Sequence, residues 1–389
     1  MLRFLTSGES HGKGLVIIID GVPADVELSE DYIAVDLRRR QGGYGRGRRQ
    51  KIEQDRAEII AGVRHGRTLG SPIALSIQNR DWVNWTEAMS VAPIEGEVER
   101  VTRLRPGHAD LAGTVKYDFD DVRPILERAS ARETAARVAV GGVCKRLLEE
   151  LGLSFHSHTV QIGTVEAVAP DEIDWAALEE SPVRCADPAS AERMVAAIDA
   201  ARNAGDTLGG VVEGRAQNVP IGLGSHVHWD RKIDGRLAQA LMSIHSVKGV
   251  EIGAGFAATR LTGSQVHDVI LPRDQWAERP WRRATNNAGG TEGGITDGQD
   301  VIARVALKPI ATLPRSLPSA DLGTGEEIPA HYERSDVCVV PAAGVIVEAM
   351  MAIVLAEAAM EKFGGDNIRE TVRNFRAFEA TTGPRDLRE

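Results

Sequence analysis

Arg128-Ala129-Ser130-Ala131-Arg132-Glu133-Thr134 lies at the centre of a longer stretch, residues 104–152, LRPGHADLAGTVKYDFDDVRPILERASARETAARVAVGGVCKRLLEELG. Ser130 followed three residues later by Glu133 has the form of a capping box, which predicts a helix starting here. Ala135, Val138, Ala139, Val143, Leu147 and Leu151 then recur at helical spacing, and Gly152 supplies a stop. Arg128 and Arg132 therefore flank a helix N-terminus, where free N–H groups and the helix dipole already favour an anion. Upstream, Arg105-Pro106-Gly107-His108 is a turn carrying an arginine and a histidine. Taken singly, each of these residues reads as a capped helix, a solvated arginine or a hydrogen-bonded histidine. What matters is that the pattern returns elsewhere.

Outward from this stretch the chain mixes strands and helices without a βαβ rhythm. Residues 15–20, LVIIID, read as a buried strand from their β-branched content, and residues 29–40 as a short helix. Residues 52–64, 71–79, 156–170, 209–214 and 301–307 read as extended, and residues 82–104 as a polar surface excursion. Asp187-Pro188 opens a helix that runs to Asn203 and stops at Gly205; residues 234–245 give a shorter one. The last long helix spans residues 341–363. Its apolar run contains Glu348, so it reads as a buried helix and not as a membrane span. The tail from Ala380 is polar and expected to fray. The pattern favours an α+β layered fold over a doubly wound sheet, and no compositional break divides residues 1–389, so one domain is expected.

Among 389 residues the net charge is −10 and aromatics are only 4%, which argues against a general binder of nucleic acid or anionic membrane. Cys144, Cys185 and Cys338 lie far apart with no metal-type spacing, which fits free thiols in a reduced compartment. No signal-peptide pattern opens the chain, so a cytoplasmic location is expected.

Arginine is nevertheless gathered locally. Residues 38–49, RRRQGGYGRGRR, hold six arginines and four glycines. Glycine prevents a regular helix there and lets backbone approach a ligand, so the loop is expected to order when a ligand binds. Arg40, Arg46, Arg105, Arg132 and Arg334 all sit beside glycine, proline or small-residue corners. Guanidinium groups collected in corners of an acidic chain suit a compact polyanion, because Arg grips carboxylate and phosphate with two donors. His11, His108 and Asp336 supply acid–base capacity if the corners meet. Gly8-Glu9-Ser10-His11-Gly12 is neither a Walker A loop nor a nucleophile elbow. Gly253-Ala254-Gly255-Phe256-Ala257-Ala258 matches a dinucleotide fingerprint on paper, but residues 259–270, TRLTGSQVHDVI, read as extended rather than helical, so it is a decoy.

Residues 8–12, 128–134 and 334–338 (Arg334-Ser335-Asp336-Val337-Cys338) resemble the three signature segments of the chorismate synthase family. Residues 105–110, 205–210, 247–253 and 308–312 add further matches in order, so the resemblance covers residue 2 to about residue 365 and leaves out residues 82–102. It implies a β-α-β sandwich, two antiparallel sheets enclosing a helical layer, assembled as a homotetramer. It implies the conversion of 5-enolpyruvylshikimate 3-phosphate (EPSP) to chorismate and phosphate by 1,4-anti elimination, with reduced FMN (FMNH2) required but no net redox change. Residue by residue, it implies catalytic roles for His11, His108 and Asp336. Ser10, Arg40, Arg46, Arg105, Arg132 and Arg334 match residues that hold EPSP. Arg128, Ala129, Ser130, His245, Ser246, Gly293, Lys308, Pro309, Ile310, Ala311, Thr312 and Arg334 match the flavin pattern. His245-Ser246 stands where that pattern usually carries Asn-Ala or Gln-Ala. Arg40 and Arg46 also match positions assigned to NADPH, and the resemblance leaves open whether this chain or a separate flavin reductase reduces the FMN. No metal is implied. The alternative reading is a non-catalytic binder of polyanions such as RNA through residues 38–49; the acidic net charge and scarce aromatics count against it.

Overall fold

The computed structural model describes residues 2–47, 54–96, 98–168, 170, 172–275, 280–333 and 335–384. In chain order the main elements are β1 (Arg3–Gly8), β2 (Gly14–Asp20), α1 (Glu30–Gln41), β3 (Ala57–Ala61), β4 (Ile73–Gln78), α2 (Asp110–Tyr117), α3 (Arg123–Arg128) and α4 (Thr134–Glu149). Next come β5 (Ser154–Ile162), α5 (Pro188–Asn203), β6 (Gly210–Gln217), α6 (Ile233–Met242), β7 (Val247–Ile252), β8 (Val301–Leu307), α7 (Val340–Phe363) and α8 (Ile368–Glu379).

One antiparallel sheet has the order β1-β2-β4-β3. The other has the order β7-β8-β6-β5, with the two-residue strand Val165–Glu166 at its edge, and is also antiparallel throughout. Helix α4 packs on β2, α7 packs on β5 and β6, and the two helices pack on each other. Helix α1 joins them, touching α4, α7 and β3. The α+β expectation therefore holds.

Residues 15–19 are not buried on both faces as their composition suggests. Leu15, Ile17 and Ile19 enter the core, while Val16 and Ile18 stand out to solvent opposite Ser7 and Leu5 of β1. The period of two wins because helices cover only one face of this sheet. Helix α7 is the one described helix long and apolar enough to cross a membrane, but it is enclosed by the fold. Its Glu348 is fully buried, bound by Arg39 of α1, Lys145 of α4, Arg184 and Ser157. Small residues let these helices approach closely: a Cβ on Gly141 would lie 2.3 Å from the Cβ of Ala349. A separate apolar cluster of Val101, Leu104, Val122 and Leu126 supports the segment that carries Arg105 and α3.

Three local expectations change. Ser130 accepts from the Arg132 N–H at 3.3 Å, and a single 3-10 turn, Ala131–Glu133, precedes α4. Glu133 does not reach back to close a capping box; its carboxylate takes Thr6 Oγ1 and Arg137 instead. The strand expected from residue 52 begins at Ala57, and residues 52 and 53 lie outside the described set. Residues 259–270 are not extended: a six-residue 3-10 turn, Gly255–Arg260, is followed by one helical turn, Gly263–Val266, though neither is the long helix that the paper fingerprint needs.

Candidate functional site

The arginine corners meet. The C-terminal turn of α1, the Ser10-His11 turn, residues 105–109, the start of α4, residues 244–246, residues 307–312 and the first turns of α7 enclose one cavity of ≈ 410 Å³. Its walls carry Arg40, Arg46, Arg105, Arg132, Lys308, His11 and His108; its floor is apolar, with Leu126, Ile244, Val339, Ala342, Ala343 and Ile346.

Each cation is held by a built partner. Arg40 is the last basic residue of α1, and donates to Thr134 Oγ1 at 2.9 Å, the Ala131 carbonyl at 2.9 Å and Asp55 at 3.3 Å. Arg132 bonds the other oxygen of Asp55 and donates through Nε to Asn79 Oδ1 at 2.9 Å. Asn79 also donates to the carbonyls of Glu9 and Gly12, which fixes the Ser10-His11 turn. Burial pulls the Arg40 pKa down to about 10, with the nearby cations Arg46 and Arg132 adding to the fall and Asp55 and Asp336 opposing it. Among the described residues, Arg40 and Arg132 share the carboxylate of Asp55, and Lys308 Nζ donates to a backbone carbonyl, that of Gly107, at 2.8 Å. The described site therefore keeps surplus positive charge for an anion.

Arg46 pairs with Asp336 at 2.9 Å, and the Gly47 N–H donates to the same carboxylate at 2.5 Å. The Gly45 carbonyl accepts from Val337, and the Tyr44 N–H donates to Pro182. The described part of the arginine loop is thus pinned to the segment before α7 at several points. Arg48 and Arg49 lie outside the described residues.

The two histidines have parallel surroundings. His108 Nδ1 meets Asp110, which is fully buried and also takes both Nε and Nη2 of Arg105, at 2.8 and 2.9 Å. Burial alone would raise the Asp110 pKa; hydrogen bonds from His108 and Arg105 and their charges overturn this and hold it well below the usual carboxylate range. His11 Nδ1 meets Glu127 at 2.9 Å, and its backbone N–H donates to the same carboxylate at 2.7 Å. The indole of Trp85 stacks on His11 with ring centroids 4.0 Å apart. Residues 82–104 therefore do not form only a surface excursion: Trp85 reaches a candidate catalytic side chain. Its polar, aperiodic surroundings hid it, as nothing in them signals a long-range stack.

Ser10, His11, Arg40, Arg46, Arg105, His108, Ala129, Ser130, Arg132, His245, Ser246, Lys308, Ile310, Ala311, Thr312 and Asp336 all line the cavity. Ser130 Oγ donates to Ser10 Oγ at 3.1 Å. Three expected residues do not line it. Arg128 turns to the carbonyls of Gly8 and Thr6, Gly293 sits at the tip of a tight hairpin between Thr291–Glu292 and Ile295–Thr296, and Pro309 lies between lining residues. Arg334 lies outside the described residues. Asp55, Asn79, Glu127 and Trp85 carry the site's architecture yet stand in no motif, and the resemblance gives Asp110, which closes the 105–110 segment, no role of its own. Asp110 alone could have been found, two residues beyond His108 in the same turn.

Two buried polar atoms of residues that line the cavity, Arg46 Nε and His245 Nδ1, have no protein partner among the described residues. Burial drives the His245 pKa down to about 4, which makes it a neutral group beside the cations. A polar cradle with unmet hydrogen bonds over an apolar floor has the donor set for a planar, partly apolar cofactor carrying a phosphate.

A family model described as chorismate synthase matches residues 2–360. The chain is 55% identical to the chorismate synthase of Symbiobacterium thermophilum over 388 residues, covering 97% of this chain and 98% of that protein. It is 58% identical to the chorismate synthase of Moorella thermoacetica over 369 residues, covering 94% and 95%. A crystal structure of a chorismate synthase superposes with a TM-score of 0.77 at 45% identity, covering 97% of both chains.

Proposed function

The chain belongs to the chorismate synthase family and is a carbon–oxygen lyase acting on phosphates, and we propose that its reaction is the 1,4-anti elimination of phosphate from EPSP to give chorismate. The observation that carries this is the convergence of Arg40, Arg46, Arg105, Arg132 and Lys308 on one cavity of an otherwise acidic protein. EPSP bears two carboxylates and a phosphate, and guanidinium groups already held in a buried site bind such a polyanion without further reorganisation.

Ser10, Arg40, Arg46, Arg105, Arg132 and Arg334 hold the substrate in this reading. Ala129, Ser130, His245, Ser246 and residues 308–312 hold the cofactor, with Arg128 and Gly293 assigned by resemblance. Reduced FMN, when bound, supplies the electron density that helps the C–O bond break and that returns as the C6 hydrogen leaves, with no net redox change. His11 and His108 hold and move protons at ring nitrogens whose Nδ1 neighbours are fixed by Glu127 and Asp110. Asp336 assists proton transfer and anchors Arg46. The apolar floor and the arginine loop exclude water.

Arg40 and Arg46 would also meet NADPH where it is the reductant; NADPH oxidation by the purified protein with FMN distinguishes this from dependence on a separate flavin reductase. We read the chain as one domain in a β-α-β sandwich. The helices touching both sheets and one apolar cluster running from Leu2 to Phe375 support this. The exposed apolar face of Leu5, Val16 and Ile18 supports assembly into a homotetramer. The free buried cysteines support a cytoplasmic location.

Anaerobic absorbance spectra test the reading. Reduced FMN should change its spectrum on adding protein and EPSP together, and less or not at all with either alone. A spectrum indifferent to EPSP would remove the ternary complex on which the proposal rests.

A further inference from the structure

His11 is gripped from two sides by residues with no assigned role. Glu127, on α3, has a fully buried carboxylate that takes both the backbone N–H and Nδ1 of His11. Its backbone carbonyl accepts the N–H of Ser10 at 3.1 Å, so Glu127 holds both residues of the Ser10-His11 turn, beside the Asn79 bonds to its flanking carbonyls. Trp85 covers one face of the imidazole. Arg123 ties the two halves together: its Nη1 donates to Glu127 at 3.2 Å and to Glu333 at 3.0 Å, and its guanidinium lies over the Trp85 ring at 5.1 Å.

From this geometry we infer that Glu127 and Trp85 are positioning residues for His11, fixing its tautomer and its ring plane. With Nδ1 committed to Glu127, the proton that His11 exchanges with a ligand passes through Nε2. A carboxylate on Nδ1 selects the Nδ1–H tautomer and stabilises the imidazolium when it forms. A stacked indole removes the ring's freedom to swing out of plane and supports the same cation through its π face. Arg123 compensates the buried carboxylate, so the clamp tolerates His11 in either charge state. Asp110 and Arg105 make the corresponding pair behind His108, but there no indole covers the ring among the described residues. The two histidines are therefore held differently: His108 Nδ1 meets both Asp110 and, at 3.0 Å, Arg105 Nη2, whereas His11 is held in plane and tautomer.

This inference rests on the catalytic reading of His11, and the experiment separates the two. Glu127→Gln keeps the shape and removes the charge. Its kcat should fall about 10–10²-fold with KM for EPSP within about threefold. Ring ¹⁵N shifts of His11, assigned by difference against His11→Ala, should show Nδ1–H in the wild-type protein without any ligand and a loss of that preference in Glu127→Gln. The decisive readout is the double variant. If Glu127 acts through His11, adding Glu127→Gln to His11→Ala costs nothing more in kcat. A further fall in the double variant, or an unchanged tautomer in Glu127→Gln, overturns the inference. Trp85→Leu should show the same non-additivity with His11→Ala, and carries the test alone if Glu127→Gln does not fold. Full turnover by His11→Ala would instead sink the catalytic reading of His11 itself.

Discussion

His11, His108 and the arginines around them were legible from the sequence because each sits in a short, unusual segment with its backbone turn written beside it. Their supports were not, because Asp55, Asn79, Glu127 and Trp85 reach the site from positions where nothing local requires their chemistry. In the folded chain these supports decide how the named residues behave. His11→Ala and His108→Ala should each lower turnover by roughly 10²–10⁴-fold while EPSP binding changes little, as expected for a lost proton carrier. Equilibrium binding alongside steady-state rates checks this, and a variant that loses only affinity would make that histidine a binding residue. Asp55 is the sharper case. It is buried and answers both Arg40 and Arg132, so Asp55→Ala leaves two guanidiniums without that carboxylate. A loss of about 3–5 kcal/mol in denaturant stability is expected from such uncompensated buried charge, together with weaker EPSP binding. A stability loss below about 1 kcal/mol would show that solvent or ligand-free rearrangement satisfies the pair.

At the level of elements, the long helices and the antiparallel strands could be read from periodicity, but their contacts could not. Glu348 interrupts the apolar run of α7 in the sequence; in the structure it is where α1, α4 and α7 are fastened by Arg39 and Lys145. Arg39 and Arg40 are neighbours on α1, so the same helical turn carries a core ion pair on one side and a site cation on the other. Glu348→Ala should therefore cost about 3–5 kcal/mol, read from urea midpoints, because it strands two or more buried cations. The contact between α4 and α7 depends on the absence of a side chain. Gly141→Ala would place a methyl 2.3 Å from the Ala349 Cβ and 2.6 Å from its Cα, so the helices must separate. The expected loss is about 1–3 kcal/mol, against the gain in helix propensity that the same change gives at an open position. A stabilised Gly141→Ala protein would contradict this packing.

For the molecule as a whole, buried carboxylates set the response to acid. Burial would raise the pKa of Asp110, Glu127, Glu213 and Glu348, but hydrogen bonds and cations at each site outweigh it and hold all of them below their ordinary values of 3.8 and 4.5. A depressed folded-state pKa gives stability that is complete above the unfolded value and is lost as pH falls toward the folded one. The urea midpoint should thus be flat above about pH 6 and drop progressively below about pH 5; a midpoint that rises on acidification over that range would reverse the sign. The fold class was legible from the mixture of elements, whereas the outward faces of Val16 and Ile18 were not, because coverage of a sheet is settled by the helices packed on it. The central claim concerns the reaction: an elimination that leaves no electrons over, run by a site that gathers anions and moves protons. One charge of photoreduced FMN, kept strictly anaerobic with the protein and excess EPSP, measures it directly. Many equivalents of chorismate per flavin, halted by air and restored by a second reduction, are the predicted result; consumption of one reduced flavin or one NADPH for each chorismate formed would contradict it.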